Sequence, residues 1–114
     1  MKRILVSRPG GHEALQLVSE PDPQVGPDQV RVSVRAAGIN YADCIVRMGY
    51  YEAAKGQYPI TPGFEVAGIV AAVGPQVKDF REGDRVFGFT RFGAYTSSIV
   101  VKELQIYPCP EGWD

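Results

Sequence analysis

The sequence Gln29-Val30-Arg31-Val32-Ser33-Val34-Arg35-Ala36 decides the fold class of this chain. Polar and apolar residues alternate along the whole stretch. Because successive side chains of a β-strand point to opposite faces of the sheet, this alternation predicts a half-buried strand. The side chains expected to face the core are those of Val30, Val32, Val34 and Ala36.

A short helix is predicted directly after this strand. Asn40 is suited to cap it by accepting hydrogen bonds from the free N–H groups of the first turn, where Asp43 is also favourable. Gly49 supplies the left-handed residue that ends the helix. The residues expected on the core-facing side recur at helical spacing: Tyr41, Cys44, Ile45 and Met48.

Further strand patterns lie on both sides of these two elements. Residues 4–6 and 15–18 flank a turn-rich segment, which predicts a hairpin. Residues 64–73 are nearly continuous in apolar character, which predicts a strand buried on both faces or bent at Gly68. The remaining strands are predicted at 85–89, 94–101 and 104–107.

These patterns together predict a mainly β fold with short helices. Six or so strands with one central helix and glycine at the bends are typical of a small, partly open β-barrel. A parallel α/β sheet is unsupported because strand and helix periods do not alternate along the chain.

The charge and hydropathy of the chain exclude several classes of partner. The chain contains twelve Lys and Arg and thirteen Asp and Glu, which give a net charge of -1, and neither the positive nor the negative residues form a continuous block. Nucleic acids and anionic membranes attract clustered cations, so neither is expected as a partner. No run approaches the roughly 20 apolar residues of a membrane span, and the amino end lacks a signal-peptide core. We expect a cytoplasmic protein with a small-molecule partner.

The histidine and cysteine content of the chain excludes several catalytic mechanisms. The single histidine, His12, stands in a predicted turn, so a Ser-His-Asp or Cys-His mechanism lacks its base. Cys44 and Cys109 can form neither a disulfide framework nor a four-cysteine zinc site. No phosphate-binding glycine motif occurs, which predicts that the phosphates of any cofactor are held elsewhere.

Several short motifs stand in a recognisable order: AAGINYAD at 36–43, RMGYY at 47–51, TPGFEVAG at 61–68, EGDRVF at 82–87 and GAY at 93–95. With them, the chain resembles the amino-terminal, GroES-like domain of medium-chain dehydrogenases/reductases. Within that superfamily it is most similar to the quinone oxidoreductase branch, which includes vesicle amine transport protein homologues. The resemblance runs through essentially the whole chain.

Two departures separate the chain from the zinc alcohol dehydrogenases of that superfamily. Asn40 and Tyr41 stand where the zinc members carry a Cys-Gly pair, and Phe64 replaces the histidine before their glutamate. The four-cysteine structural lobe is missing as well. The resemblance therefore implies a reductase without zinc.

The resemblance also implies a second domain. In the superfamily this barrel precedes a Rossmann domain that binds NADPH, and the active site is the cleft between the two. We expect residues 1–107 to form the GroES-like, substrate-side domain and residues 108–114 a linker toward a nucleotide-binding domain absent from this chain. The stop after Trp113-Asp114 fits this expectation, since the family enters its next helix about there.

The family resemblance also implies which residues form the site. Tyr51, two residues after Gly49, matches the tyrosine that related enoyl thioester reductases use as a proton donor or orienting group, so it is predicted to be catalytic together with Asn40. Asn40, Tyr41 and Asp43 are expected beside the cofactor. Predicted for the substrate cleft are Tyr50, Thr61 and Phe64.

Several of these residues also have a purely structural explanation. Tyr51 is explained as a half-exposed loop tyrosine that packs on the barrel. Asn40 is explained by capping the helix, Tyr41 by core spacing and Asp43 by its place in the first turn. Glu65 is expected to pair with an arginine such as Arg47 or Arg85, because burying an unpaired carboxylate is costly.

The function predicted from the sequence is that of the substrate-side domain of an NADPH-dependent, zinc-free oxidoreductase reducing quinones or other conjugated carbonyls. The alternative is a free-standing GroES-like module that binds partners or helps an assembly without catalysis. An enoyl thioester reductase would differ only in its substrate. The exact substrate and a homodimer stay open.

Overall fold

The computed structural model describes residues 1–113 and shows a mainly β fold. These residues contain seven strands and one α-helix, α1 (Tyr41–Met48). The strands are β1 (Lys2–Val6), β2 (Leu15–Ser19), β3 (Gln29–Ala37), β4 (Glu65–Val73), β5 (Arg85–Phe89), β6 (Ser98–Lys102) and β7 (Ile106–Pro108). Short 3-10 helices cover His12–Ala14, Glu52–Ala54 and Glu103–Gln105.

The strands form two antiparallel sheets. β1 and β2 make a hairpin, as the sequence predicts. The other five strands follow the order β6-β3-β4-β5-β7, so β4 lies at the centre. The hairpin touches the rest of the fold through bridges from Arg3 to Thr96 and from Val6 to Ile60. The sheets do not close on each other, which confirms the partly open barrel.

Two apolar clusters hold these sheets together. The larger lies against the five-stranded sheet and contains Val30, Val32, Val66, Val70, Val86, Ala94, Ile99, Val101 and Ile106. The smaller lies between the hairpin and α1 and contains Val6, Val46, Ala54 and Ile60. The loops around α1 pack against the smaller cluster.

The alternating pattern of β3 is confirmed along most of its length. Val30 and Val32 are fully buried, and Val34 is half-buried. Ala36 is exposed, so the predicted core position is wrong there. The cause is an irregularity in the pairing of β3 with β4 between Val34 and Ala36, because an extra residue in one strand reverses the face of those that follow.

Gly68 allows two strands to approach each other closely. A Cβ atom on Gly68 in β4 would overlap the backbone carbonyl oxygen of Ser33 in β3. β4 is not buried on both faces, however. Val66, Gly68 and Val70 are buried, whereas the residues between them are half-buried. β4 therefore alternates like β3, because only one of its faces meets the larger cluster.

The carboxyl-terminal strands are shorter than predicted. β6 begins at Ser98, because the preceding segment contributes backbone hydrogen bonds to the hairpin: Ser97 N–H donates to Lys2. Leu104 lies in a 3-10 turn and is 78% exposed, so it is not a strand residue. In the predicted linker, Cys109 N–H donates to the carbonyl of Arg85, and Asp114 lies outside the described residues.

Helix α1 begins and ends where the sequence predicts. Asn40 is the N-cap, but its side chain makes no capping hydrogen bond, so the predicted acceptor role is wrong; Asp43 N–H donates to the Asn40 backbone carbonyl instead. Gly49 has a left-handed φ of 89° with its N–H directed at the carbonyls of Ile45 and Val46. Tyr41 is 74% exposed, so its predicted core position is wrong. The buried residues are Asp43 and Val46, which lie three apart on one face, and Tyr41 points away from that face.

Candidate functional site

The amino end of α1 is organised around the buried carboxylate of Asp43, which is 4% exposed. Its Oδ2 atom accepts hydrogen bonds from Asn40 N–H at 3.0 Å and from the Tyr95 hydroxyl at 2.8 Å. Its Oδ1 atom accepts from Gly63 N–H at 3.0 Å. Asp43 therefore ties the helix to two loops that are distant in the sequence.

Asn40 stands at the surface above this carboxylate. Its side-chain nitrogen donates to Glu65 Oε1 at 3.2 Å, and its backbone N–H is held by Asp43. Gly38 makes room for this arrangement, because a Cβ atom there would overlap the Glu65 carboxylate. Two carboxylates thus fix the position of Asn40, and its side chain remains accessible to a ligand.

The predicted arginine partner of Glu65 is wrong. The guanidinium of Arg47 donates to the carbonyl of Gly10, and that of Arg85 donates to the carbonyl of Trp113. Glu65 is half-buried and accepts from the neutral amide of Asn40 instead. The carboxylate stays partly solvated, so it does not require a cation.

Tyr51 lies on an aromatic shelf after α1. Its ring centroid is 5.8 Å from that of Phe64 and 5.9 Å from that of Phe92, and the two phenylalanines are 5.5 Å apart. All three rings pack against the smaller core cluster. Among residues 1–113, the hydroxyls of Tyr58 and Tyr95 donate within the protein, whereas that of Tyr51 makes no hydrogen bond. Tyr51 is half-buried, and the hydroxyls of the more exposed Tyr41, Tyr50 and Tyr107 likewise make no hydrogen bond within these residues.

The remaining predicted site residues lie in different environments. Tyr50 is 76% exposed and Tyr41 is 74% exposed, so neither is held by packing. Thr61 is buried, and its hydroxyl accepts a hydrogen bond from Arg3 at 3.3 Å. The structure brings Asn40 together with Asp43, and Tyr51 together with Phe64.

A surface groove of about 320 Å³ runs beside Glu65. It is bounded by Gly38 on one side and by Phe87 and Phe89 on the other. A larger groove of about 640 Å³ lies near Phe80, and neither groove is lined by a predicted site residue. Asp43 lines a smaller cavity of about 190 Å³ and Thr61 another of about 240 Å³, so groove size does not locate the site.

The sequence did not predict Tyr95 as part of the site, and it left open whether Phe92 lines the substrate cleft or fills the barrel. Tyr95 donates to Asp43, and burial together with this hydrogen bond raises its pKa far above the ordinary value. Phe92 completes the shelf under Tyr51. Tyr95 stands in the quoted GAY motif, but nothing in its neighbourhood signals a partner 52 residues away.

In the described part of the chain, no three His, Cys, Asp or Glu side chains form a group able to hold a metal ion. Within residues 1–113 the structure contains no helix with the length and hydrophobicity needed to cross a membrane.

Comparison with known families gives one match to most of the chain. The model of the alcohol dehydrogenase GroES-like domain matches residues 26–111. The chain belongs to this family. The match spans β3 to β7 and includes α1, so the elements that carry the candidate site of this GroES-like domain all lie inside it.

The relatives of this GroES-like domain include vesicle proteins and quinone oxidoreductases. The synaptic vesicle membrane protein VAT-1 homolog of Rattus norvegicus is 41% identical over 104 residues, which cover 90% of this chain and 26% of that protein. The quinone oxidoreductase of Mus musculus is 41% identical over 115 residues, covering 97% of this chain and 34% of that protein. The chain thus spans about a quarter to a third of these relatives.

Solved structures agree with the family at higher coverage of the domain. The quinone oxidoreductase of Escherichia coli complexed with NADPH has a TM-score of 0.93 and 32% identity, covering all of this chain and 35% of that one. The human synaptic vesicle membrane protein VAT-1 homolog-like protein has a TM-score of 0.94 and 30% identity, covering all of this chain and 37% of that one. Both confirm the GroES-like fold.

Proposed function

We propose that this GroES-like domain is the substrate-side part of an NADPH-dependent, zinc-free oxidoreductase that reduces quinones or other conjugated carbonyls. The observation that carries the proposal is the Tyr51 hydroxyl, which has no hydrogen bond within residues 1–113 while its ring is packed on Phe64 and Phe92. The quinone oxidoreductases among the relatives support the reaction class.

A donor of this kind suits the proposed chemistry. Hydride transfer to a quinone or to the β-carbon of an enone builds negative charge on a carbonyl oxygen. A phenol is protonated at neutral pH and can donate a hydrogen bond, and then a proton, to that oxygen. Delocalisation of the charge into an enolate or hydroquinone reduces the need for a metal ion. Tyr51 is therefore the proposed catalytic donor.

The residues around α1 suit only the uncharged end of NADPH. Asn40 is exposed and can hydrogen-bond a neutral carboxamide. The carboxylates of Asp43 and Glu65 lie next to it, and they would repel a phosphate. NADPH supplies the hydride when bound. We propose that Asn40, with Tyr41 and Asp43 beside it, faces the nicotinamide end, and that the phosphates are held by another domain.

The other predicted residues are assigned roles around this donor as part of the proposal. We propose that Phe64 forms an apolar wall of the substrate cleft and that Tyr50 lies at its rim. Thr61 fixes the backbone next to the wall, since its carbonyl accepts from Gly93 N–H at 2.7 Å. The domain is proposed to span residues 1–107, with 108–114 as the linker, in a cytoplasmic enzyme.

The proposal is tested on the full-length gene product with purified quinones. We expect NADPH-dependent reduction of menadione, little reduction of the simple ketone cyclohexanone, and no loss of activity after treatment with a zinc chelator. A protein that binds NADPH but reduces no conjugated carbonyl would contradict the enzyme and favour the free-standing binding module. Loss of activity on chelation, restored by zinc, would contradict the metal-free mechanism.

A further inference from the structure

Phe92 adopts a backbone conformation that a bulky residue rarely takes. Its φ is 66°, in the left-handed region, and it is the one residue other than glycine with positive φ in the described part of the chain. Side chains with a Cβ are disfavoured there, and such outliers cluster where a site needs them. The next residue, Gly93, also has positive φ at 92°.

Hydrogen bonds from the surrounding loop hold Phe92 in this conformation. The hydroxyl of Thr90 donates to the Phe92 carbonyl at 3.0 Å. Thr90 N–H donates to the carbonyl of Phe64 at 2.9 Å, and Gly93 N–H donates to that of Thr61 at 2.7 Å. Loop 90–93 is thus fastened at both ends to the segment that carries Phe64.

The conformation places the Phe92 ring against Tyr51. The two rings meet edge to face, with centroids 5.9 Å apart and planes at 82°, which is a favoured aromatic geometry. Phe64 contacts both rings from the side. Because no hydrogen bond within residues 1–113 holds the Tyr51 hydroxyl, these ring contacts are what fixes its direction.

We propose that Phe92 is a positioning residue that sets the direction of the Tyr51 hydroxyl toward the substrate carbonyl. This inference rests on the proposed function, in which Tyr51 is the donor. An aliphatic side chain would fill the space but could not make the edge-to-face contact with the ring of Tyr51. Phe92 therefore acts on turnover through Tyr51.

The test is a double-mutant cycle in the full-length protein, with menadione as the substrate. Phe92→Leu should lower kcat about tenfold with KM nearly unchanged. In a Tyr51→Phe background, the same Phe92→Leu change should alter kcat less than about twofold, since the hydroxyl that Phe92 directs is gone. Phe92→Tyr keeps the ring and should retain kcat.

The matched control is Phe80→Leu. Phe80 is half-buried and packs on the larger core cluster, so its loss should leave kcat unchanged at a similar cost in stability. If Phe92→Leu does not fold, Phe92→Gly replaces it in the cycle, because glycine accepts a φ of 66° without strain.

The outcomes separate the two proposals. Equal losses from Phe92→Leu in both backgrounds would show a merely structural role and overturn the inference, while Tyr51 would keep its proposed role. An unchanged kcat in Tyr51→Phe alone would remove Tyr51 as the donor and overturn both. Non-additive losses, with Phe92→Tyr active, support the inference.

Discussion

The hydroxyl of Tyr95 donates a hydrogen bond to Oδ2 of Asp43 at 2.8 Å, across 52 residues of chain. Burial and this hydrogen bond raise the pKa of Tyr95 well above its ordinary value. The same carboxylate accepts from Asn40 N–H, so the phenol of Tyr95 and the exposed amide at the helix end share one buried anion. The contact links the stability of the fold to the geometry of the site.

Tyr95→Phe should lower the free energy of unfolding by about 1–2 kcal/mol at neutral pH, because Asp43 loses one of its three donors. The loss should shrink as the pH rises. A raised pKa means that the folded chain holds the phenolic proton more tightly than the unfolded chain, whose tyrosines titrate near about pH 10. Wild-type stability from Tyr95 is therefore complete below about pH 10 and declines above it.

Urea unfolding of the wild type and of Tyr95→Phe from neutral to alkaline pH measures this difference. Burial also raises the pKa of Tyr58, but Tyr58 is present in both proteins, so its contribution cancels. A stability difference that stays constant or grows above about pH 10 would contradict the raised pKa.

Asp43→Asn should be more costly, at about 2–3 kcal/mol. The asparagine amide would turn its own N–H groups toward one of the donors that now face a carboxylate, which leaves that donor buried without an acceptor. Asp28→Asn is the matched control, since Asp28 is exposed, and it should change stability by less than about 0.5 kcal/mol. Equal losses of stability in the two variants would contradict the organising role proposed for Asp43.

The sequence predicted the secondary structure well where that structure depends only on neighbouring residues. The alternation at β3, the helix start at Asn40 and the terminator Gly49 each depend on a few neighbouring residues, and all three positions are confirmed. The capping hydrogen bond expected from the Asn40 side chain is not made, because that side chain donates to Glu65, which lies 25 residues away. The alternation fails at Ala36, because the bulge there depends on how β4 pairs with β3. Strand pairing is a relation between distant segments, which spacing within one segment does not encode.

The site was less predictable for the same reason. The family resemblance selected Asp43, but its partners Gly63 and Tyr95 lie 20 and 52 residues away. Glu65 was expected beside an arginine and instead accepts from Asn40, since the arginines reach backbone carbonyls first. Nothing around Phe92 marks its positive φ except the glycine that follows it.

Gly68→Ala should destabilise the chain by about 3 kcal/mol, because the new methyl group would overlap the Ser33 carbonyl oxygen and push β3 from β4. Gly83→Ala is the comparison. Gly83 has a φ of 92° and open space around the position of a Cβ, so its replacement should cost only the backbone strain, about 1 kcal/mol. Chemical unfolding of both variants measures the difference, and similar losses would contradict the close approach at Gly68.

The 114-residue chain alone should show no measurable NADPH binding in titration calorimetry. A helix N-terminus binds phosphate through its free backbone N–H groups. At the N-terminus of α1, the carboxylate of Asp43 already accepts a hydrogen bond from Asn40 N–H and occupies the position that a phosphate would take. The Glu65 carboxylate, 3.2 Å from the Asn40 amide, adds a second negative charge. A neutral nicotinamide ring held only at Asn40 would offer few contacts for affinity. The full-length gene product should bind NADPH under the same conditions, and tight binding by the short chain would contradict the assignment of the phosphates to another domain.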